Sequence, residues 1–163
     1  MIKNIFGKTG ENVWVEAPST VNYGWNIEVG ENFYSNYNLT ILDVGKVTCG
    51  KNVQIAPNVS IYTAGHPVHP DSRNSGYEYG IPVTVGDNVW IGGNTVILPG
   101  VTVGSNVVIG AGSVVSKDIP DNTIAAGNPC KVIREITDED RIYYFKKQKF
   151  DDEAWEEVKN KNK

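Results

Sequence analysis

The chain is poor in the residues that most often advertise chemistry. Its 163 residues include two histidines, two cysteines and one methionine. Two thiols far apart in sequence, Cys49 and Cys130, argue against a disulfide framework and suit a reducing compartment. No stretch approaches the ~20 apolar residues that a membrane-spanning helix requires. The opening Met-Ile-Lys-Asn-Ile-Phe-Gly has no apolar run of the signal-peptide kind. These absences predict a cytoplasmic protein with no membrane partner. Lys and Arg number 15 against 19 Asp and Glu, a net charge of −4, which argues against a nucleic-acid-binding surface. His66 and His69 form a His-x-x-His pair with no further ligands at metal-site spacing, so no metal is expected. The length suits one domain.

What the chain does have is a period of six. From Val85 to Ile119 an aliphatic residue opens each block: Val85, Ile91, Ile97, Val103, Ile109, Val115. A small or β-branched residue fills the fifth place: Val89, Thr95, Val101, Val107, Ser113, Ile119. Glycine or asparagine often stands between. Neither a helix at 3.6 nor a long strand at 2.0 repeats this way; short strands joined by corners do. Three blocks close one triangular coil of ~18 residues, and coils must stack to bury their apolar faces. The period reaches back through Val15, Val21 and Ile27. After a slip of two it continues as Val29, Ser35 and Ile41, and after a second slip as Cys49, Ile55 and Ile61. Cys49 therefore reads as a small buried residue, and Cys130 has no neighbour that would mark it as a nucleophile. The fold class is an all-β solenoid, a parallel β-helix of hexapeptide repeats.

Three stretches depart from the period. Residues 1–12 read as a lead-in that caps the open end of a solenoid spanning 13–136. Residues 63–82 put Pro67, Arg73 and Tyr79 where aliphatics belong, and so form a protruding loop that carries both histidines. Residues 137–163 form an extension. In it, Thr137 and Asp140 resemble an N-cap pair opening a helix over 138–147. A second short helix over 149–160 is anchored by Phe150, Trp155 and Val158, and the last residues fray.

The residues flanking the loop carry a resemblance. Asn32-Phe-Tyr-Ser-Asn-Tyr-Asn-Leu-Thr-Ile-Leu-Asp43, Ala64-Gly-His-Pro-Val-His69, Val85-Gly-Asp-Asn-Val-Trp-Ile-Gly-Gly93 and Ala125-Ala-Gly-Asn-Pro-Cys-Lys-Val-Ile-Arg134 come in the order and spacing of the maltose and galactoside O-acetyltransferases. These are left-handed β-helix acyltransferases, and the similarity covers residues 13 to 147. It implies a homotrimer with acetyl-CoA as co-substrate, active sites between subunits, and a small hydroxylated acceptor of the sugar class. Two differences bear on the acceptor. The family's helical N-terminal segment has no counterpart before the solenoid, and Val44 stands where galactoside enzymes carry a second acid. An amino-sugar or streptogramin acceptor, or a scaffold without activity, are the alternatives.

The resemblance also assigns roles. His66 is the general base, since imidazole titrates near neutrality and Pro67 disfavours a helical backbone before it. Asn36 joins it through its amide. Tyr34, Asn22 and Asp43 are acceptor contacts, with packing as the rival for Tyr34 and a corner role for Asn36. Gly93 falls where a backbone N–H meets the thioester carbonyl, and Trp90 forms an apolar wall or packs at an interface. Ala111, Ser116 and Lys117 flank coenzyme A, and Lys131 and Arg134 meet its phosphates. On pattern alone the last two are solvated charges.

Overall fold

Corner residues set the winding. Asn32, Asn52, Asn88, Asn106 and Asn122 have φ between 55° and 58°, a left-handed conformation open mainly to glycine and asparagine. Their side-chain amides join along the corner: Asn12 donates to Asn32 (3.3 Å), Asn32 to Asn52 (2.9 Å), Asn52 to Asn88 (2.8 Å), Asn88 to Asn106 (3.0 Å) and Asn106 to Asn122 (2.8 Å). A second corner repeats through Asn38, Asn58 and Asn94 and ends at Gly112, all with positive φ.

Strands of two to four residues run between these corners and stack into the three faces of a prism. The computed structural model describes residues 2–161. Its first face holds Lys8–Thr9, Ile27–Val29, Val47–Cys49, Val83–Val85 and Thr102–Val103. The second holds Val13–Val15, Phe33–Ser35, Gln54–Ile55, Trp90–Ile91, Val108–Ile109 and Thr123–Ala126, and the third Ser19–Val21, Leu39–Leu42, Ser60–Tyr62, Val96–Ile97 and Val114–Val115. Pairing from coil to coil is parallel on every face.

The register explains the slips in the sequence period. Paired residues are 20 apart in the early coils (Ile27 with Val47), 18 apart later (Thr84 with Thr102) and 16 apart at the last (Val108 with Ile124). Across the loop they are 36 apart (Val47 with Val83), so the loop adds one coil's length to the chain without changing the stack. Inside lies a column of aliphatic side chains, among them Ile27, Val47, Val53, Ile55, Val59, Ile61, Ile91, Ile97 and Ile109, all essentially without solvent contact. Each such side chain contributes roughly 1.5–3 kcal/mol by burial. The hydroxyls that replace aliphatics are satisfied locally: Thr95 donates to Gly92 O at 2.7 Å and Thr123 to Pro120 O at 2.7 Å.

Both ends differ from the sequence expectations. The first coil begins at Lys8, not near residue 13: Lys8 and Thr9 pair with Glu28 and Val29, while buried Phe6 covers the column from below. At the other end Lys131–Glu135 turns back antiparallel on Thr123–Ala126 and closes the second face. The helix expected over 138–147 is a 3₁₀ turn, Asp138–Ile142, followed by a hairpin of Tyr143–Phe145 with Gln148–Lys149. The consecutive Tyr-Tyr-Phe favours a strand, and Lys146, at φ 51°, makes the turn. The second helix forms over Asp152–Lys161, with the rings of Tyr144 and Trp155 5.5 and 5.9 Å from that of Phe150. Of the three residues expected to fray, Asn162 and Lys163 lie outside the described residues.

Candidate active site

The loop leaves the prism at the edge between its third and first faces. Thr63 anchors it, donating its N–H to Leu42 O and accepting the Gly45 N–H at 2.8 Å. Ala64–Gly65 pairs antiparallel with Tyr79–Gly80, so the loop stands on a two-residue ladder. The backbone of Gly80 packs against that of Val44–Gly45 so closely that a β-carbon at Gly80 would lie 2.7 Å from Gly45 N. His66 follows this ladder immediately. Its Nδ1 is 2.9 Å from Tyr77 O across the loop. A carbonyl can only accept, so Nδ1 is the donor, and in the neutral ring the lone pair lies on Nε2. Nε2 is 4.0 Å from an oxygen of Glu78, and the imidazole is half exposed. His69, by contrast, caps the short helix Pro70–Asn74, its Nδ1 accepting the Asp71 N–H at 3.2 Å. Arg73 ties the loop to itself through Val68 O at 2.8 Å.

Asn36 lies on a different edge, between the second and third faces, where its Oδ1 accepts the Tyr37 N–H at 2.8 Å and leaves the NH₂ to offer. Gly93 and Ala111 occupy the same edge one and two coils past Pro57. Ser116 and Lys117 fall on the edge of the loop, after Val114–Val115. The site residues are thus divided between two edges of one chain. Six extended residues span roughly 20 Å, which is the order of the distance between two edges. Tyr34 and Trp90 point outward from the second face, the latter 55% exposed, and Trp90 pairs in register with Gln54 and Val108. Asn22 stands at the loop's edge in the first complete coil.

Two expected roles need correction. Asp43 was expected to meet the acceptor, but it is 0% exposed and takes the N–H groups of Asn22, Tyr23 and Gly24 at 3.0, 2.9 and 2.7 Å. Its carboxylate organises that turn and presents no surface to a ligand. Arg134 is held in a bidentate pair with Asp140, at 2.8 and 2.6 Å, so a phosphate there would compete with a carboxylate. Arg134 and then the Thr137 N–H keep the Asp140 carboxyl well below the usual carboxylate range. Lys131 is exposed on the same strand. Burial pushes the Cys49 thiol up to about 12, and burial raises Cys130 as well, so neither is a thiolate near neutrality. Among the described residues no group of three His, Cys, Asp or Glu could hold a metal ion. Sequence reasoning missed the Tyr77 carbonyl, which no residue letter reports, and Glu78, whose only signal was an acid within the histidine loop.

A prism of stacked hexapeptides with an imidazole on an inserted loop defines a hexapeptide-repeat transferase, and the model of the bacterial transferase hexapeptide (six repeats) matches residues 82–117. The galactoside O-acetyltransferase of Escherichia coli K12 is 58% identical over 149 residues, covering 91% of this chain and 73% of that protein. A solved galactoside acetyltransferase in complex with coenzyme A superposes with a TM-score of 0.90 at 58% identity, over 92% of this chain and 75% of that one. A maltose O-acetyltransferase from Clostridium difficile 630 gives 0.83 at 58% identity, over 84% and 73%. The winding is the left-handed β-helix of those acetyltransferases. The chain belongs to the family of galactoside and maltose O-acetyltransferases.

Proposed function

We propose that this protein moves an acetyl group from acetyl-CoA to a hydroxyl of a sugar or related small acceptor, with His66 as general base. The observation that carries the reading is the 2.9 Å contact of His66 Nδ1 with Tyr77 O, which in the neutral ring leaves Nε2 as the proton acceptor. Nε2 takes the hydroxyl proton while the acceptor oxygen attacks the thioester carbonyl carbon. The carbon–sulfur bond then breaks, and the departing sulfur takes the proton from the imidazolium, giving the acetyl ester and the free thiol. Both substrates are bound together, because no activated serine or cysteine is available to carry the acetyl group. A backbone N–H at Gly93 would meet the developing oxyanion, a contribution often worth ~3–4 kcal/mol. Asn36 orients the reacting group, with Tyr34 and Asn22 on the acceptor. Trp90 walls the pantetheine arm, Ala111, Ser116 and Lys117 flank it, and Lys131 meets the phosphates.

The working unit in this reading is a homotrimer. A three-fold ring sets one edge of each copy against a different edge of the next. The loop edge with His66, Ser116 and Lys117 would then face the edge with Asn36, Gly93 and Ala111, making three identical sites. The similarity to galactoside and maltose enzymes supports the donor and the acceptor class. The test is His66→Ala, assayed by release of the coenzyme A thiol with a galactoside or maltose acceptor. We expect a fall of ~10²–10⁴-fold with unchanged mass by sedimentation. Turnover at the parent rate would remove His66 as the base, and a monomer at working concentration would remove the shared site.

A further inference from the structure

His66 offers one open nitrogen, and a carboxylate stands beside it. Oε1 of Glu78 lies 4.0 Å from Nε2, with both side chains about half exposed. That gap is too long for a hydrogen bond between them. Glu78 is therefore not what orients the imidazole; Tyr77 O does that from the other side of the ring. Beyond this approach to Nε2, the Glu78 side chain makes no ion pair or hydrogen bond among the described residues, so its carboxylate is left for a ligand that reaches Nε2. Its backbone is held from both sides. It sits between Tyr77, whose carbonyl is bonded to the ring, and Tyr79, which pairs with Gly65 in the ladder at the base of the loop. The β-carbon position of Gly65 is filled by the Tyr79 ring, 2.5 Å away, which fixes this side of the loop against the segment leading into His66.

Two acceptors 4.0 Å apart suit two donors on one ligand. The oxygens of a vicinal diol in its gauche form are separated by about one hydrogen-bond length, ~2.8 Å. One hydroxyl can donate to Nε2 while its neighbour donates to Oε1 of Glu78, each at ordinary length. The geometry points to Glu78 as an acceptor-selecting residue: it binds the hydroxyl adjacent to the one that is acetylated, and so selects vicinal diols over isolated alcohols. This rests on the acetyl-transfer reading above and narrows its acceptor class. A hydrogen bond to a charged group discriminates strongly when its partner is missing, and the partial exposure of Glu78 reduces that to about tenfold.

The test is a cycle between enzyme and acceptor. Thiol release is measured for the parent, Glu78→Ala and Glu78→Gln, each with a methyl pyranoside, with its monodeoxy analogues lacking one hydroxyl at a time, and with a simple monohydric alcohol. The parent should prefer the full sugar by about tenfold in kcat/KM over one deoxy analogue. Glu78→Ala should lose that preference through a higher KM for the sugar, while keeping its KM for acetyl-CoA and its rate on the monohydric alcohol. Glu78→Gln, which retains an accepting oxygen without the charge, should recover part of it. A preference that survives in Glu78→Ala overturns the role of Glu78. An equal loss on every acceptor also overturns it, since the residue would then act on His66 and not on the ligand. A parent enzyme inactive on every acceptor overturns the acetyl-transfer reading itself, and this role with it.

Discussion

Val59 and Val68 are nine residues apart and live in different solvents: the first is wholly buried in the prism, the second 93% exposed in the loop. The prism is held by repetition. Each inner strand is paired to the coil below and the coil above, and each inward side chain rests on others of its kind. The loop is held by a handful of named bonds: the Ala64–Gly65 ladder, the His69 cap, the Arg73 contact and the His66–Tyr77 bond. Its short helix buries nothing. The contrast separates two tasks. The stack supplies a rigid frame that tolerates an 18-residue insertion, because pairing resumes in register beyond it. The loop supplies reactive groups that such a frame could not hold in its dry interior, where an unpaired imidazole would be expensive.

The sharpest way to break this comparison is to remove the loop. Without residues 64–81, Tyr62, Thr63 and Pro82 would form the corner that Leu98, Pro99 and Gly100 form one coil later. Gly100 has φ 84°, which proline cannot adopt, so the excision should carry Pro82→Gly as well. The expected outcome is a prism with parental far-ultraviolet circular dichroism and no acetyl transfer above background. Loss of the β signal would show that the loop also supports the stack. A second comparison is one of stability. Ile97→Ala, in a wholly buried position, should cost ~2–5 kcal/mol, whereas Val68→Ala should stay within ~0.5 kcal/mol. Denaturant unfolding of the pair measures both, and similar losses would deny the difference in packing.

The smallest effect concerns the extension. Asp140 has its pKa lowered by Arg134, so its pair contributes fully above the ordinary carboxylate value of 3.8 and is lost as pH falls through the lower value in the folded chain. Below about pH 4 residues 137–161 should become protease-sensitive before the prism does. Asp140→Asn should show that sensitivity at neutral pH and no step on acidification.

Much of the frame was legible because a hexapeptide period is a local property. The slips of two at Ile27–Val29 and Val47–Cys49 already marked the coils whose partners lie 20 residues apart. The break at Pro67, Arg73 and Tyr79 marked the loop. Asp43 was misread because an acid near a candidate site looks like a ligand group, while its burial depends on a turn supplied by the coil below. The extension was misread because Ile142, Tyr143 and Phe145 satisfy a helical spacing as readily as a hairpin, and the choice was made by pairing with Gln148–Lys149.

By itself, then, the sequence determined the coil, the site of its interruption and the presence there of a side chain able to exchange a proton near neutrality. Those follow from neighbours a few residues apart. Only the tertiary structure decided which nitrogen of His66 is free, that Glu78 stands beside it, and that Asn36 lies on another edge. The reason is physical: a backbone carbonyl has no letter, and the edge on which a residue falls depends on the summed lengths of the coils before it.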